Sequence, residues 1–197
     1  MTTPATARDR AKAHRTDAIL TAAAELFAAR GYSGVSLEEI GAAVGISGPA
    51  VYRHFAGKPA LLGALLIGVS ERLVAGGQDV AAAHEAPLEQ MSALIDFHVA
   101  FALGNAEVIR VQDRDIAHLE AEARSDVRRL QRAYIELWMD TLAPLVPAER
   151  DELRLRVQAC FGLLNSTPHS ASSALRARVD TGRLLASMAM QALLAGS

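Results

Sequence analysis

Apolar residues near the start of the chain recur at the spacing of an amphipathic helix rather than in the alternation of a strand. Within residues 16–30, five of them share one helical face: Ile19, Leu20, Ala23, Leu26 and Phe27. Gly31 follows as a candidate C-cap, because glycine readily adopts the left-handed backbone that ends many helices. The pattern therefore predicts a helix over residues 16–30.

Capping signals predict two further short helices. Ser36 is followed three residues later by Glu39, which is the spacing of a capping box at a helix start. After a tight glycine-led turn, Ser47 can cap a helix over residues 48–55, and Pro49 suits its first turn. Two short helices joined in this way form a helix-turn-helix, a motif that places its second helix in the major groove of DNA.

The rest of the chain also has helical spacing, and its β-branched residues are scattered rather than alternating. We expect helices over residues 58–75, 87–103, 106–119, 120–145, 148–166 and 180–194. Gly76 and Gly77 are expected to end the first of these, with a soft linker over residues 78–86 and a loop over residues 170–173. Alanine and leucine are abundant and favour helix, so the fold class is predicted to be all-α.

Charge separates the chain into two parts, although the net charge of the whole is only −2. Residues 1–58 carry 7 Lys/Arg and 5 Asp/Glu, or +2, and residues 59–197 carry 13 and 17, or −4. We expect a basic arm over residues 1–14, a DNA-binding domain over 15–60 and a second domain over 61–197. The arm holds Arg8, Arg10, Lys12 and Arg15. It could contact phosphates or the minor groove, or be a solubilising tail.

The expected compartment is the cytoplasm. The N-terminus is polar and basic, without the apolar core of a secretory signal. The longest apolar run, over residues 61–69, is too short to cross a membrane, so no membrane partner is expected. A single cysteine, Cys160, excludes an internal disulfide and suits a reducing compartment.

A longer motif in the N-terminal part resembles the DNA-binding domain of the TetR family. It covers about residues 15–65 and consists of Gly31-Tyr32, Val35-Ser36-Leu37, Ile40-Gly41, Val44-Gly45-Ile46-Ser47, Val51-Tyr52-Arg53-His54-Phe55, Lys58 and Leu61-Leu62. The resemblance implies an N-terminal three-helix helix-turn-helix domain and a C-terminal helical domain for ligand binding and dimerisation. It implies a homodimeric repressor that leaves a pseudo-palindromic double-stranded DNA operator when a small effector binds.

The resemblance also implies roles for individual residues. Phosphate contacts would come from Ser36, Ser47, Tyr52, His54 and Lys58. Base contacts would come from Gly48, Pro49 and Arg53, whose guanidinium suits guanine. Tyr52 could instead be a core aromatic. Position 50 is alanine where the family often has threonine, so Ala50 is expected to touch a thymine methyl group. Glu38 and Glu39 would repel phosphate if they faced DNA.

In the C-terminal domain, the resemblance implies that helices 148–166 and 180–194 pair with those of a second subunit. Their apolar residues are Leu153, Val157, Cys160, Phe161, Leu164, Leu184, Leu185, Met188 and Leu193. A pocket is expected between the helices that start near residues 88, 106 and 120. Its candidate lining residues are Phe97, His98, Phe101, Arg110, Asp113, Arg114, Tyr134, Trp138 and Asn165, with Gln112 and His118 as further polar candidates.

An apolar cavity with a few polar groups would suit a lipophilic effector with a polar or anionic head, such as a fatty acyl thioester. The aromatic candidates could equally be plain core, and His98 a satisfied core histidine. We expect the effector to act by shifting helix 58–75, which would change the spacing of the two recognition helices. Half-sites lie about 34 Å apart, so a small mismatch would cost contacts at both.

Two alternatives remain open at this stage. A constitutive DNA-binding regulator would have the same first domain but a filled C-terminal core. A metal-binding helical protein could use Asp113, Asp115 and His118, together with His98, as ligands. No cofactor, metal or catalytic residue is predicted, because the chain has no phosphate loop, nucleophile elbow or HExxH motif.

Overall fold

A computed structural model describes residues 6–196, and in that range the chain is helical without any strand. The all-α prediction is confirmed. The helices are α1 (Ala7–Arg30), α2 (Leu37–Ala43), α3 (Gly48–Val51), α4 (Lys58–Ala82), α5 (Pro87–Gly104), α6 (Ala106–Asp115), α7 (Ala121–Leu142), α8 (Arg150–Asn165), α9 (Thr167–Ser170), α10 (Ser173–Arg176) and α11 (Val179–Leu193). A short 3-10 turn, Ile116–His118, lies between α6 and α7.

Helix α1 begins well before the predicted residue 16. Thr6 and Asp9 form a capping box, in which the Thr6 hydroxyl accepts from the Asp9 N–H and the Asp9 carboxylate accepts from the Thr6 N–H. The predicted basic arm is therefore helical from Ala7 onwards, and its residues 1–5 lie outside the described part of the chain. Its cations are consequently arranged by helical geometry.

The helix-turn-helix follows the predicted capping signals. The Ser36 hydroxyl accepts from the Glu39 N–H, and the Glu39 carboxylate accepts from the Ser36 N–H at 2.8 Å. Gly45 has φ of +70° in the turn, a conformation that favours glycine. Helix α3 is regular only to Val51, shorter than predicted, and continues as a turn in which the His54 N–H donates to the Val51 carbonyl at 2.9 Å.

Helix α4 does not end at Gly76 and Gly77 as predicted, but runs on to Ala82. A Cβ atom on Gly76 would lie 2.5 Å from the Phe97 ring, and one on Gly77 would lie 2.7 Å from the Tyr134 ring. The two glycines therefore allow α5 and α7 to cross α4 closely. They serve tertiary packing rather than helix termination.

Helix α4 joins the two hydrophobic cores of the molecule. Its first half packs with α1, α2 and α3 around Phe27, Ile40 and Leu61, and its second half contacts a core around Met91 and Trp138. By length and hydropathy α4 could cross a membrane. Its apolar residues are instead covered by α1, α5 and α7, as in the core helix of a folded domain.

The C-terminal domain packs α5, α7, α8 and α11 around fully buried Trp138, Met139 and Leu142. Three predictions on its elements differ from the structure. Helix α6 stops at Asp115, because the chain tightens into the 3-10 turn before α7. The predicted loop over residues 170–173 lies between two single-turn helices, α9 and α10. The linker after α4 shrinks to residues 83–86.

Candidate DNA interface and effector pocket

The recognition segment presents polar side chains to solvent. Tyr52 is 54% exposed, so it is not a core aromatic, and Pro49 and Arg53 are exposed beside it. Gly48 is buried, and a Cβ atom there would lie 2.9 Å from the Glu38 side chain. Ala50 is also buried, which removes it as a contact for a thymine methyl group. The exposed surface therefore centres on Pro49, Tyr52 and Arg53.

The two serines at helix starts differ in how they use their hydroxyl groups. Ser36 caps α2, while the exposed Ser47 makes no side-chain capping bond and has its hydroxyl available for another partner. The Glu39 carboxylate accepts from the Ser36 N–H and from Arg30 at 2.7 Å, and these bonds lower the pKa of Glu39 to about 2. Its negative charge is thus paired within the domain, which limits repulsion of a phosphate.

Lys58 and His54 make contacts inside the domain. Lys58 Nζ donates to the Tyr32 and Val35 carbonyls, both at 2.9 Å, and lies 4.5 Å from the centre of the Tyr32 ring. One ammonium hydrogen remains for a phosphate. His54 Nδ1 is 3.0 Å from the hydroxyl of Thr16, which links the recognition segment to α1 and leaves Nε2 for another partner.

A cavity of about 170 Å³ in the C-terminal domain brings together four of the predicted pocket residues, His98, Gln112, Tyr134 and Asn165. The His98 Nε2–H donates to Asn165 Oδ1 at 3.2 Å, and Nδ1 accepts from the Tyr134 hydroxyl at 3.4 Å. Its other lining residues are Ser70, Leu73, Leu130, Gln131, Ile135 and Phe161.

The polar groups of this cavity are neutral. Burial lowers the pKa of His98 to about 4, against the opposing effect of its hydrogen bond to Asn165. Burial also raises the pKa of the Tyr134 phenol. The remaining polar lining groups are amides and a hydroxyl, and no charged side chain lines the cavity among residues 6–196. The site can therefore donate and accept hydrogen bonds but offers no charge to an ion.

Phe161 is a pocket residue that the sequence interpretation assigned to the subunit interface. Its ring stacks on His98 at 4.7 Å and on Tyr134 at 5.5 Å between centroids. It lies four residues before Asn165 on α8, and this spacing was the available signal that the two share a face. Gln131 and Ser70 were missed because nothing local distinguishes them from other polar residues on helices.

The other aromatic candidates lie elsewhere. Trp138 is fully buried behind the cavity in the core, and its indole nitrogen has no hydrogen-bond partner in the described residues. Phe97 and Phe101 line a separate cleft of about 570 Å³ between α4 and α5. Leu73 contributes to both recesses, so they are neighbours across α4.

The charged candidates Arg110, Asp113 and Arg114 do not line the cavity, contrary to the prediction. Arg110 Nε donates to the Pro168 carbonyl at 3.1 Å, and His169 pairs with Asp113 at 3.0 Å. These contacts join α6 to α9. Each cation or carboxylate therefore already has a partner from a neighbouring element.

Arg114 connects the two domains. Its guanidinium donates to the Phe27 and Ala28 carbonyls at the end of α1 and forms an ion pair with buried Asp115 at 2.9 Å. Nearby, the His118 ring stacks on Tyr32 at 4.7 Å between centroids. Helix α6 and the turn after it thus contact the DNA-binding domain directly.

Each of the candidate metal ligands already contacts another side chain. Asp115 is paired with Arg114, Asp113 with His169, and His118 with the Tyr32 ring, while His98 lies in the cavity. Among residues 6–196, no three His, Cys, Asp or Glu side chains come close enough to hold a metal ion.

Fold and sites together define a helix-turn-helix DNA-binding domain joined to a helical domain that contains a small cavity. Residues 19–65 match the profile described as bacterial regulatory proteins, tetR family, and residues 84–169 match that of the tetracyclin repressor-like C-terminal domain. The chain therefore belongs to the TetR family. It is a DNA-binding transcriptional repressor of that family with a ligand-binding C-terminal domain.

Three known proteins are similar to this chain, one in sequence and two in fold. The chain is 25% identical over 168 residues to the HTH-type transcriptional repressor KstR2 of Rhodococcus jostii, covering 85% of this chain and 82% of that protein. A TetR-family regulator from Bordetella parapertussis has a TM-score of 0.81 at 23% identity, covering 92% and 94% of the two chains. AibR, solved with isovaleryl coenzyme A and operator DNA, has a TM-score of 0.71 at 21% identity, covering 90% and 96%.

Proposed function

We propose that this repressor binds a pseudo-palindromic operator as a homodimer and is released when a small acyl thioester enters the cavity at His98. The observation that carries the proposal is the position of that cavity. Its lining residues include Ser70 on α4 and Gln112 on α6, and both of these helices contact the DNA-binding domain. An occupant of the cavity would therefore touch the elements that position the recognition helix.

On the DNA side, the exposed residues of the recognition segment are the proposed readers of base edges. Arg53 would form the bidentate contact with guanine, and Pro49 would give an apolar contact. Tyr52 and Ser47 would donate hydroxyl hydrogen bonds to phosphates, and His54, held at Nδ1 by Thr16, would lie beside them. Ser36, Gly48 and Lys58 would then act mainly by placing backbone N–H groups and one ammonium hydrogen near the phosphates.

The second subunit is proposed to cover an apolar face formed by α8 and α11. Many of the apolar residues expected there, among them Leu153, Val157 and Leu185, are buried within the subunit's own core. Leu155, Leu184 and Met188 are instead 66%, 61% and 43% exposed. Large apolar side chains exposed on adjacent helices mark an interaction surface, and a two-fold axis there would place two recognition helices on one operator.

The chemistry of the cavity favours a short, uncharged group. Its volume of about 170 Å³ is below the range of pockets that hold drug-sized ligands, and it contains no charged side chain. A branched or short acyl chain would fill the apolar part, and its carbonyl oxygen could accept from Gln112, Gln131 or Asn165. The solved complex of AibR with isovaleryl coenzyme A supports this class of effector.

In a coenzyme A thioester, the phosphates of the coenzyme would need cationic side chains outside the cavity. Arg124, Arg128 and Arg132 follow one another at i, i+4 and i+8 on α7, and together they line a recess of about 380 Å³. Gln131, at the cavity, is adjacent to Arg132 in the chain. We propose that the phosphates of the thioester lie along this arginine stripe.

Two routes are proposed for the signal. Displacement of Ser70 and Leu73 would move α4, as the sequence interpretation expected. Displacement of Gln112 would move α6, whose Arg114 is bonded to the end of α1. A ligand shifts the equilibrium only through its different affinity for the two states, so the cavity must be reshaped when the dimer binds DNA.

Selection of preferred duplexes from a random pool by the purified protein tests the DNA part of the proposal. Enrichment of a pseudo-palindrome is expected. If refolded protein, freed of any bound effector, enriches no sequence above non-specific binding, the proposal is wrong.

Titration of the operator complex with isovaleryl coenzyme A, and with stearoyl coenzyme A as a longer comparison, tests the effector part. Isovaleryl coenzyme A is expected to release the operator at a lower concentration. Asn165→Leu should weaken release at least tenfold, whereas Gln78→Leu, at an exposed position on α4 away from the cavity lining and the proposed subunit interface, should leave it unchanged. Release by neither thioester would favour a constitutive regulator or a different ligand.

A further inference from the structure

A second recess lies on the DNA-binding domain, beside the exposed recognition residues, and it includes Arg53 and His54. It is an open cleft of about 640 Å³ between the first turns of α1 and the end of the recognition segment. Its lining residues are Arg8, Asp9, Ala11, Lys12, Arg15, Arg53 and His54. Four of these side chains are cationic at neutral pH and one is anionic, so the cleft is strongly basic in a chain whose net charge is −2.

The cations of the cleft are not used by the fold. Within residues 6–196, Arg8, Arg15 and Arg53 make no side-chain hydrogen bond or ion pair, and Lys12 interacts only electrostatically with Asp9. The Asp9 carboxylate is occupied by the N–H and hydroxyl of Thr6, at 3.1 and 2.7 Å. It therefore serves the helix cap, and its charge is only partly available to offset its neighbours.

Helical geometry holds these like charges together. Arg8, Lys12 and Arg15 are spaced i, i+4 and i+7, so they lie on one face of α1, and like charges at this spacing repel. Arg8 is also near the positive end of the helix dipole, where a cation is unfavourable. This arrangement lowers the stability of the protein on its own, and an anion bound between the charges would offset their repulsion.

The cleft is anchored to the recognition segment. His54 Nδ1 contacts the Thr16 hydroxyl at 3.0 Å, which ties α1 to the residues that follow α3. Arg53 lines the cleft and is also on the exposed recognition surface. A DNA strand that leaves the recognition surface at Arg53 would therefore pass over Lys12 and Arg8.

We propose that this cleft binds backbone phosphates of the DNA that flanks the half-site read by the recognition segment. The inference rests on the proposed DNA binding for its orientation. The ligand class is a run of phosphodiesters, and the contact is with charge rather than with base sequence. Each protomer would then contact a longer stretch of the operator than the helix-turn-helix contacts by itself. The N-terminal part of α1, from Arg8 to Arg15, would be a second DNA-binding element.

The test compares two arginines that are two residues apart on the same helix. Arg8 lines the cleft, whereas Arg10 is exposed on the opposite face and does not. We would measure the affinity of the full-length protein for a duplex with the selected operator and eight flanking base pairs on each side, over a range of salt concentrations. Each phosphate contact contributes about 0.9 to the slope of log affinity against log salt.

Arg8→Ala is expected to reduce that slope by about 0.9 per protomer, or about 1.8 for the dimer, and to weaken binding of the dimer about 60-fold at 0.1 M salt. Lys12→Ala should do the same, and Arg8→Lys should retain the wild-type slope because it keeps the charge. Arg10→Ala should change neither quantity. Equal slopes for Arg8→Ala and Arg10→Ala would overturn the proposal. Helix content measured by circular dichroism checks that the variants remain folded.

Three further measurements complete the test, and the first two separate this inference from the proposed function. On a duplex trimmed to the palindrome, wild type and Arg8→Ala should bind alike, because the flanking phosphates are missing. An undiminished difference between them would contradict the assignment of the cleft to flanking DNA.

A mixed-sequence duplex of the same length as the operator duplex gives the slope without any operator. A protein that selects no palindrome but still shows the Arg8 effect there would sink the operator proposal and leave the cleft as a phosphate site. Competition by inorganic tripolyphosphate at equal charge should be weak, and strong competition would assign the cleft to a free polyanion instead.

Discussion

The two domains place their functional residues by different means. In the DNA-binding domain the exposed residues Ser47, Tyr52 and Arg53 lie within one short segment whose position is set by nearby caps and a glycine turn. In the C-terminal domain the cavity draws one or more residues from each of α4, α5, α6, α7 and α8. A contiguous surface is specified locally, whereas a cavity depends on how long helices cross.

The largest expected effect tests whether the two domains are one cooperative unit. Phe27→Ala and Trp138→Ala each empty a fully buried site, one in each core, and should cost about 3–5 kcal/mol of unfolding free energy. Because α4 contributes to both cores, circular dichroism and the fluorescence of the single tryptophan should report one transition in Phe27→Ala. Leu88→Ala, at a half-exposed position, is the control and should cost little. Separated transitions would show that the domains unfold independently.

A pH effect should be confined to the C-terminal core. Histidine titrates near 6.5 in the unfolded chain, while burial lowers the pKa of folded His98 to about 4. Between these values the unfolded state binds more protons, so stability should fall as pH decreases, by at most about 1.4 kcal/mol per pH unit. His98→Gln should reduce this slope when unfolding is measured from pH 7 to 4. Exposed His14→Gln should not, and equal slopes in all three proteins would contradict the assignment.

Communication between the domains should depend on Arg114. Arg114→Gln removes the ion pair to buried Asp115 and weakens the bonds to the end of α1, for a cost of about 1–3 kcal/mol in stability. We expect the effect of isovaleryl coenzyme A on operator affinity to shrink about fivefold, with binding in the cavity retained. Arg129→Gln removes a surface pair and is the control. Unchanged coupling in Arg114→Gln would assign the signal to α4 alone.

The smallest effect should appear at the recognition surface. The Tyr52 hydroxyl makes no bond within the described residues, so Tyr52→Phe should leave the stability of the protein unchanged. It should weaken binding to every DNA duplex about fivefold, which is equivalent to about 1 kcal/mol. Arg53→Ala should in addition relax discrimination at one base position. Affinities for a panel of operator variants provide the measurement. Identical losses for both variants across the panel would remove the distinction between phosphate and base contact.

Local signals in the sequence were sufficient to predict the start of a helix where the two capping partners lie within a few positions of each other. The capping box of Ser36 and Glu39 closes over three residues, so its spacing alone predicted the start of α2. The recognition residues were implied by the family motif over residues 15–65, of which Pro49, Tyr52 and Arg53 are exposed. The capping box of Thr6 and Asp9 was also readable in principle, but an arm rich in cations was not expected to be helical.

Long-range packing explains most of the differences between prediction and structure. Gly76 and Gly77 have the local signature of a helix end, and they continue the helix because the Phe97 and Tyr134 rings lie against them. Arg110 and Arg114 were expected at the pocket because they lie on a helix that was expected to border it. Their guanidinium groups instead donate hydrogen bonds to backbone carbonyls of α9 and α1, and no sequence pattern within α6 predicts these contacts.

The sequence alone therefore predicted the all-helical class and the helix-turn-helix, because these depend on periodicity and on caps formed between neighbours. The residues of the recognition surface were implied by the resemblance to the TetR family. It could also nominate His98, Tyr134 and Asn165, which are polar groups on otherwise apolar faces. Their meeting in one cavity, the absence of charged side chains from its lining and the basic cleft beside α3 depend on contacts between residues up to 67 positions apart. Such contacts are set by the crossing of whole helices, which becomes visible only when the chain is folded.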